Sequence, residues 1–560
     1  MDDESAEIEL ATILNSFDTR LLKLEKSILP LYTSTQRLNK RASNIDKALL
    51  KIDELASNHE GAAAEESTII RGPQAGNLEA YKDAMERLNA AFAFQSGSAD
   101  TARLIETGAK KLAQLYTTLV AESSTSSGVA SSFPSPLLVD LVGFLRTLPL
   151  PSTHPSHAAA PGIATALKDA ARGYADMRGN WARKALEAKT PLFQDSVDPI
   201  PAGTEFGQWV EELVIVAEQE QRLLDELNPM PSTQPFSVLL NPLLTLLSNT
   251  FENLVGFVKR TLHSHAFMAL SAYEYMIALQ TRCDSVFAGR SEFKDGLNSL
   301  RTVALRSFPE FLADIKLSRD PGGSSLTDFV ITTVKYMNRL PEVRSAAGLA
   351  LVTLGDGNWK MGDGKQVGMP KKDDTSATTS EAVLLDHYIY DVLVTTLTTL
   401  NNLSRFPKRA QNPALTSVFV LNNVAYVRSQ LLDHELVGKP VQDLILSNWR
   451  MAKATYFDGN WGVLVKSLGE SGGGKTAVKE RAARFYDLLD EVVERHRGLG
   501  VLEDDADARE EVADDSVKLV VPNLERFISK HRDREFSRNP QKHIRLSPED
   551  VDAKIRNIYR

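Results

Sequence analysis

The 560-residue chain has one cysteine, Cys283. An internal disulfide framework and any multi-cysteine zinc site are therefore excluded, and the composition suits a reducing compartment. No apolar run reaches the roughly 18 residues that a membrane-spanning helix needs. The opening Met-Asp-Asp-Glu lacks the basic-then-apolar order of a secretory signal. Alternation of apolar and polar residues is scarce, and no strand–helix alternation of the kind that builds a parallel sheet occurs. These absences predict an all-α protein of the cytoplasm. A hydrophobic content of 42% and a charged content of 24% are ordinary for a globular chain.

What is present is helical periodicity. Apolar residues recur at spacings of three and four over Leu137–Leu145, Phe206–Leu227, Leu239–Leu262, Leu326–Leu340, Leu384–Leu403, Leu415–Leu432 and Glu480–His496. No short repeat period stands out, which disfavours a regular solenoid. The strongest pattern is a heptad stripe near the start. Leu10, Leu14, Phe17, Leu21, Leu24, Ile28, Leu31, Leu38, Ile45, Leu49 and Ile52 fall on alternating four- and three-residue steps, with only Thr35 and Ala42 non-bulky. Such a stripe must be covered by other helices, either a partner's or the chain's own bundle. Pro30 removes one backbone donor and predicts a bend there.

Composition breaks divide the rest. They predict a heptad helix over 1–56, helical bundles over 68–230, a middle bundle over 236–350, a mobile Gly-, Lys- and Asp-rich loop over 355–380, and C-terminal bundles over 381–560. The net charge of −9 is unevenly spread. Residues 503–515 carry eight acids and one base, which reads as a solvated connector or helix end. Residues 518–560 carry eleven Lys or Arg against six Asp or Glu. A basic end on an acidic chain is drawn to anionic surfaces. The interleaved Asp533 and Glu535, and the lack of an aromatic stacking set, disfavour nucleic acid as the partner.

Motifs that carry chemistry are few. Gly469-Glu-Ser-Gly-Gly-Gly-Lys475-Thr476 fits the phosphate-binding loop, in which backbone amides and Lys475 would hold phosphates and Thr476 would hold magnesium. The same residues fit the Gly-x-Ser-x-Gly nucleophile elbow, so composition explains both matches. A working loop also needs a buried strand before it. Gly355–Gly364 lacks the oxygen ladder and closing glutamate of a calcium loop. His263 and His265 are two apart on a helix and face different sides, so they are no metal pair. Cys283 reads as a packed thiol, and at least one of Asn422 and Asn423 as a buried, hydrogen-bonded amide. No catalytic residue, metal site or cofactor is assigned. Ser547-Pro548-Glu549-Asp550 reads as a helix start, with Val551, Ile555 and Ile558 as the packed stripe of that last helix.

Several motifs in fixed order resemble a known family. They are Ser16-Phe-Asp-Thr-Arg through Leu31, Asn44-Ile-Asp46, Leu78-Glu-Ala-Tyr81, Tyr174-Ala-Asp-Met-Arg178, Leu326-Thr-Asp-Phe-Val330 with Tyr336-Met-Asn338, Val418 through Tyr426, and Asn539-Pro-Gln-Lys-His-Ile-Arg545 with Ser547-Pro-Glu-Asp550. The chain resembles the seventy-kilodalton subunit of the exocyst, the complex that tethers secretory vesicles to the plasma membrane. The resemblance implies an elongated rod of stacked helical bundles with an N-terminal coiled coil, and a non-enzymatic role in exocytosis. It implies phosphatidylinositol bisphosphate binding at the inner leaflet of the plasma membrane through Lys542, Arg545, Lys475, Lys479, Arg481, Arg484 and Arg538. Other exocyst subunits would cover Leu14, Phe17, Leu21, Leu24 and Ile28, and a Rho-family GTPase is a further partner the resemblance brings in. Two other readings stay open: a nucleotide-binding protein using residues 469–476, and a helical adaptor without lipid binding.

Overall fold

A computed structural model describes residues 3–56, 62–94, 99–125, 134–150, 158–319, 322–360, 381–406, 412–469, 474–532 and 543–560. Among the described residues there are helices, turns and bends but no strand, so the fold is all-α. Most of the expected 355–380 loop lies outside them, beyond a short turn at Asn358–Lys360. The chain divides into two compact units. The first is Met1–Ala185 with Ile215–Leu243, and the second is Leu186–Val214 with Leu244–Arg560.

In the first unit, the helices Leu78–Phe94, Ala99–Thr125, Pro136–Leu145 and Ala160–Glu187 bury Tyr81, Met85, Leu112, Tyr116, Leu141 and Tyr174. Tyr116 and Tyr174 stack at 6.3 Å between ring centroids. One turn on, the buried Arg178 pairs with the buried Glu220 through two parallel bonds, Nε to Oε2 at 3.0 Å and Nη2 to Oε1. Its guanidinium also lies 4.2 Å from the Trp181 ring centroid. A fork-to-fork pair satisfies both charges, which is what makes their burial tolerable.

In the second unit, two neighbouring amides organise the core. Asn423 is fully buried. Its Oδ1 accepts from the Thr327 amide at 2.9 Å and from the Thr327 hydroxyl at 3.1 Å, and its Nδ2 donates to Phe419 O at 2.8 Å. Asn422 donates to Ser324 O at 2.9 Å and Gly500 O at 2.8 Å, and accepts from the Leu502 amide at 2.8 Å. The helix Pro413–Leu431 thus holds two distant loops by side-chain bonds. Both amides are bonded, more than the one that periodicity requires. The bond to Leu502 helps hold that residue at φ +53°, a left-handed backbone that a leucine rarely adopts. Cys283 is a buried free thiol.

Two elements depart from the periodicity. The apolar run Leu239–Leu262 is not one helix. The helix Phe236–Arg260 stops, Thr261 takes φ −139° and ψ 62°, and Leu262–Val286 starts anew. A pattern of apolar residues cannot see a break that preserves its phase. Of the two readings of the acidic run, the structure gives the helix end and not the solvated connector. The run opens the helix Ala506–Arg532, and its carboxylates hold cations on neighbouring helices. Glu511 takes Arg428 at 2.9 Å and Lys453 at 2.7 Å, and Asp515 takes Lys453 at 2.6 Å. Burial works against the Glu511 charge, but the bonds from Lys453 and Arg428 outweigh it and hold the carboxyl below its ordinary range.

Asn423→Ala is expected to leave the Thr327 amide and hydroxyl unpaired in the core and to lower unfolding free energy by about 2–4 kcal/mol. A urea titration followed by far-UV circular dichroism checks this; an unchanged midpoint would remove Asn423 from its organising role.

Candidate functional site

One long helix, Asp3–Ala56, carries the heptad stripe and runs through Pro30 without interruption. Its residues 7–52 are all exposed. Leu14, Phe17, Leu21, Leu24 and Ile28 each keep between 51% and 62% of their surface in water. The chain's own bundle therefore does not cover the stripe. With Leu14, Leu21 and Ile28 at heptad position a, Ile8, Leu22, Leu29 and Leu50 all fall at b, and all are exposed. This second apolar column widens the face beyond the a/d seam of a two-stranded coil. A heptad template alone missed it; the burial pattern shows it. Lys23, Lys26, Arg37, Lys40, Lys47 and Lys51 lie at c and f, on the opposite side.

The second candidate surface is built on the helix Lys475–His496. The residues before it decide against a nucleotide loop. Gly462–Gly469 is a helix where the phosphate loop requires a strand, and 470–473 lie outside the described residues. Lys475 opens the next helix, though its side chain is not among those described. Lys479 and Arg481 are half-buried and Arg484 is exposed. Arg481 Nε turns back to Ala477 O at 3.3 Å. The N-cap is Gly474, which makes no side-chain cap bond, and the first turn has no acid. A macrodipole of positive sign thus meets a cluster of cations, the reverse of the charge order that stabilises a helix start. An anion is what such an end lacks.

Arg538 and Lys542 lie outside the described residues. Arg545 is described and exposed, and it is already paired: its Nη1 donates to Asp487 Oδ1 at 2.8 Å. Two further cations of the basic end are also engaged. Lys554 bonds Asp490, and Arg556 bonds Asp514 and Asp552, each at 2.7 Å. Part of the positive charge counted along residues 518–560 is thus answered by aspartates on neighbouring helices. Only the Arg556–Asp552 pair is a local one, four residues apart on a helix; the other aspartates lie 58, 64 and 42 residues away, so no local pattern in the sequence indicates those pairings.

The last helix, Pro548–Arg556, starts as its sequence dictates. Ser547 and Asp550 form a reciprocal capping box, and Pro548 takes the first position. Val551 and Ile555 are buried, but Ile558 is only half-buried, and Tyr559 is the anchor instead. Its hydroxyl lies 2.6 Å from that of Tyr456 and 2.8 Å from Ser516 Oγ. Tyr456 in turn lies 3.0 Å from His496 Nε2, and His496 Nδ1 donates to Val492 O at 2.7 Å. With Nδ1 protonated, a neutral His496 must accept at Nε2, so the phenols pass their protons toward it. Burial raises the Tyr456 and Tyr559 hydroxyls above the ordinary phenol range and lowers His496.

Comparison with known proteins fits this architecture. Residues 205–557 match the family described as the C-terminal domain of the Exo70 exocyst complex subunit. The chain belongs to the Exo70 family. It is similar to the exocyst complex protein exo70 of Neurospora crassa, at 22% identity over 599 residues covering 95% of this chain and 91% of that one. It is similar to the exocyst complex component EXO70A1 of Arabidopsis thaliana, at 22% identity over 640 residues covering 98% and 94%. The crystal structure of the Saccharomyces cerevisiae exocyst component Exo70p shares the fold, with a TM-score of 0.61, 17% identity, and coverage of 91% of this chain and 100% of that one. Two of the Exo70-like motifs meet in space, Leu326–Val330 and Val418–Tyr426, through the Thr327–Asn423 bonds. A third, Tyr174–Arg178, supplies the stacked ring and the buried ion pair of the first unit. These motifs are therefore packing devices. Among the described residues, no helix is long and apolar enough to cross a membrane, and no cluster of three His, Cys, Asp or Glu is placed to hold a metal.

The lowered His496 has a stability consequence. Its ordinary value is 6.5, so the unfolded chain takes up this proton first as pH falls. The stabilisation is complete above pH 6.5 and is lost as pH drops toward the folded value. His434, lowered by burial too, adds a drop of the same sign. Urea midpoints between pH 7.5 and 5.5 should fall for the natural chain and fall less steeply for His496→Gln; equal slopes would contradict the buried network.

Proposed function

We propose that this chain is a non-enzymatic subunit of an exocyst-type complex that tethers secretory vesicles at the plasma membrane, acting from the cytoplasm as a peripheral protein. The observation that carries this reading is the helix Asp3–Ala56, whose apolar face is exposed from Ile8 to Ile52. An unpaired face of that length needs covering helices, and the relatives are named as components of the exocyst complex. Leu14, Phe17, Leu21, Leu24 and Ile28 are the contact residues, and the added column at Ile8, Leu22 and Leu29 suits packing against more than one neighbouring helix.

The C-terminal unit is the membrane-facing end in this reading. The bare start of Lys475–His496, with Lys475, Lys479, Arg481 and Arg484, offers amides and cations to a phosphorylated headgroup, and Arg545 with Arg538 and Lys542 extends the basic surface. Phosphatidylinositol bisphosphate, dense in charge, is the preferred ligand. The helix Gly462–Gly469 disfavours the nucleotide alternative, since the strand that loop requires is missing there.

Two outcomes follow. Leu21→Glu/Leu24→Glu should release the chain from the other subunits in co-purification while its circular dichroism stays unchanged; unaltered co-purification would refute the docking face. Lys542→Ala/Arg545→Ala should weaken sedimentation with phosphatidylinositol bisphosphate vesicles by on the order of tenfold, at about 1 kcal/mol per charge. Binding should also weaken as salt shortens the screening length below about 10 Å. A double variant that pellets like the natural chain at physiological salt would rule these residues out as the membrane contact.

A further inference from the structure

We propose that Asp487 is an internal stand-in for the lipid phosphate: it holds Arg545 while the membrane is absent and yields it to a phosphorylated headgroup. The inference rests on the phosphoinositide reading above and adds a control to it. Asp487 lies one turn beyond Arg484 on Lys475–His496, where a stretch of four cations interrupted only by Glu480 gives way to the acids Asp490, Glu491 and Glu494. It is therefore the first carboxylate met beyond the cationic end. Its bond to Arg545 is direct, 2.8 Å, and both side chains are open to water, 64% and 48% exposed. An exposed pair of this kind holds by no more than about a fivefold preference and is screened by salt. A phosphate monoester carries more charge and three acceptor oxygens, and a guanidinium takes it in a forked geometry that a single monodentate carboxylate contact does not match.

The main chain around Arg545 is fixed by other means. The Tyr486 hydroxyl donates to Leu546 O at 2.9 Å, the Ser547–Asp550 capping box locks the next turn, and Val551, Ile555 and Tyr559 are buried. Residues 486 and 487 thus divide two tasks: Tyr486 pins the backbone, and Asp487 holds only a side chain. Arg545 can change partners without the last helix leaving its seat. Lys554 is engaged differently. It pairs with Asp490, is less exposed, at 32%, and sits within the docked helix. Exchange is therefore assigned to Arg545 alone.

The test compares the full-length natural chain, Asp487→Asn, Arg545→Ala, the combination of both, and Glu494→Gln as a charge-matched control on the same helix. Each is sedimented with phosphatidylcholine vesicles containing phosphatidylinositol bisphosphate, and with vesicles of equal charge containing phosphatidylserine. Asp487→Asn should bind the phosphoinositide vesicles about fivefold more tightly, the effect of one unit of charge near the surface. The gain should vanish in the Arg545→Ala background and be smaller on phosphatidylserine. A thermal melt confirms that the near-isosteric variant is folded. The proposal is overturned if Asp487→Asn binds like the natural chain, if its gain persists without Arg545, or if Glu494→Gln gains as much. A further variant, Lys479→Ala/Arg484→Ala, separates the two levels. If it loses binding while Asp487→Asn changes nothing, only the stand-in role falls. If it and Arg545→Ala both bind like the natural chain, the phosphoinositide site falls with it.

Discussion

The constraint on which the rest depends is an apolar face that its own chain leaves bare. Each Leu, Ile or Phe moved from water into a packed seam contributes about 1.5–3 kcal/mol, much of it offset by the cost of association. The stripe on Asp3–Ala56 has eleven such residues, and the b column adds four more. None of the described residues over 62–560 covers that face, so in the proposed reading the favourable term is realised between chains. The two compact units are self-sufficient by contrast, with buried rings, paired charges and bonded amides of their own. In that reading the molecule separates what folds it from what assembles it.

The second unit shows how net charge misleads when its sign is counted along the chain. The acidic opening of Ala506–Arg532 and the basic end are complementary parts of one bundle. Glu511, Asp514 and Asp515 answer Arg428, Lys453 and Arg556, while Asp487 and Asp490 answer Arg545 and Lys554. A separate group of cations stands at the start of Lys475–His496, where Arg484 is exposed and Lys479 half-buried, with the exposed Glu480 among them. A glycine cap and an acid-free first turn accompany that small set of charges.

Much of this architecture was legible in the residues, and the reasons are local. Helix type follows from three-and-four spacing, the start of the last helix from Ser547-Pro548-Glu549-Asp550, and the heptad stripe from its register. What was not legible is either non-local or phase-neutral. Arg545 and Asp487 are far apart in sequence, so their bond has no linear signature. The interruption at Thr261 leaves the apolar phase of its two helices intact. Tyr559, one residue past the expected Ile558, became the anchor because its hydroxyl finds Tyr456 and Ser516 in the core, a partner choice that periodicity does not encode. The b column has no clean signature because Asn15, Gln36 and Ser43 interrupt it. The residues proposed to face lipid were named by resemblance. Of these, Arg538 and Lys542 lie outside the described residues, and Arg545 has an internal partner that the resemblance gave no reason to expect.

The bare helix also has a genetic consequence. Because residues 7–52 are exposed throughout, most substitutions there remove no packing from the folded units. Lesions of that segment should therefore behave as pure loss-of-interaction alleles: the protein persists at normal abundance, and its phenotype is suppressible by compensating changes in whatever helix lies against it. Lesions at Asn423 or Arg178 belong to the other class, temperature-sensitive and lost to turnover, and no change in a partner can rescue them.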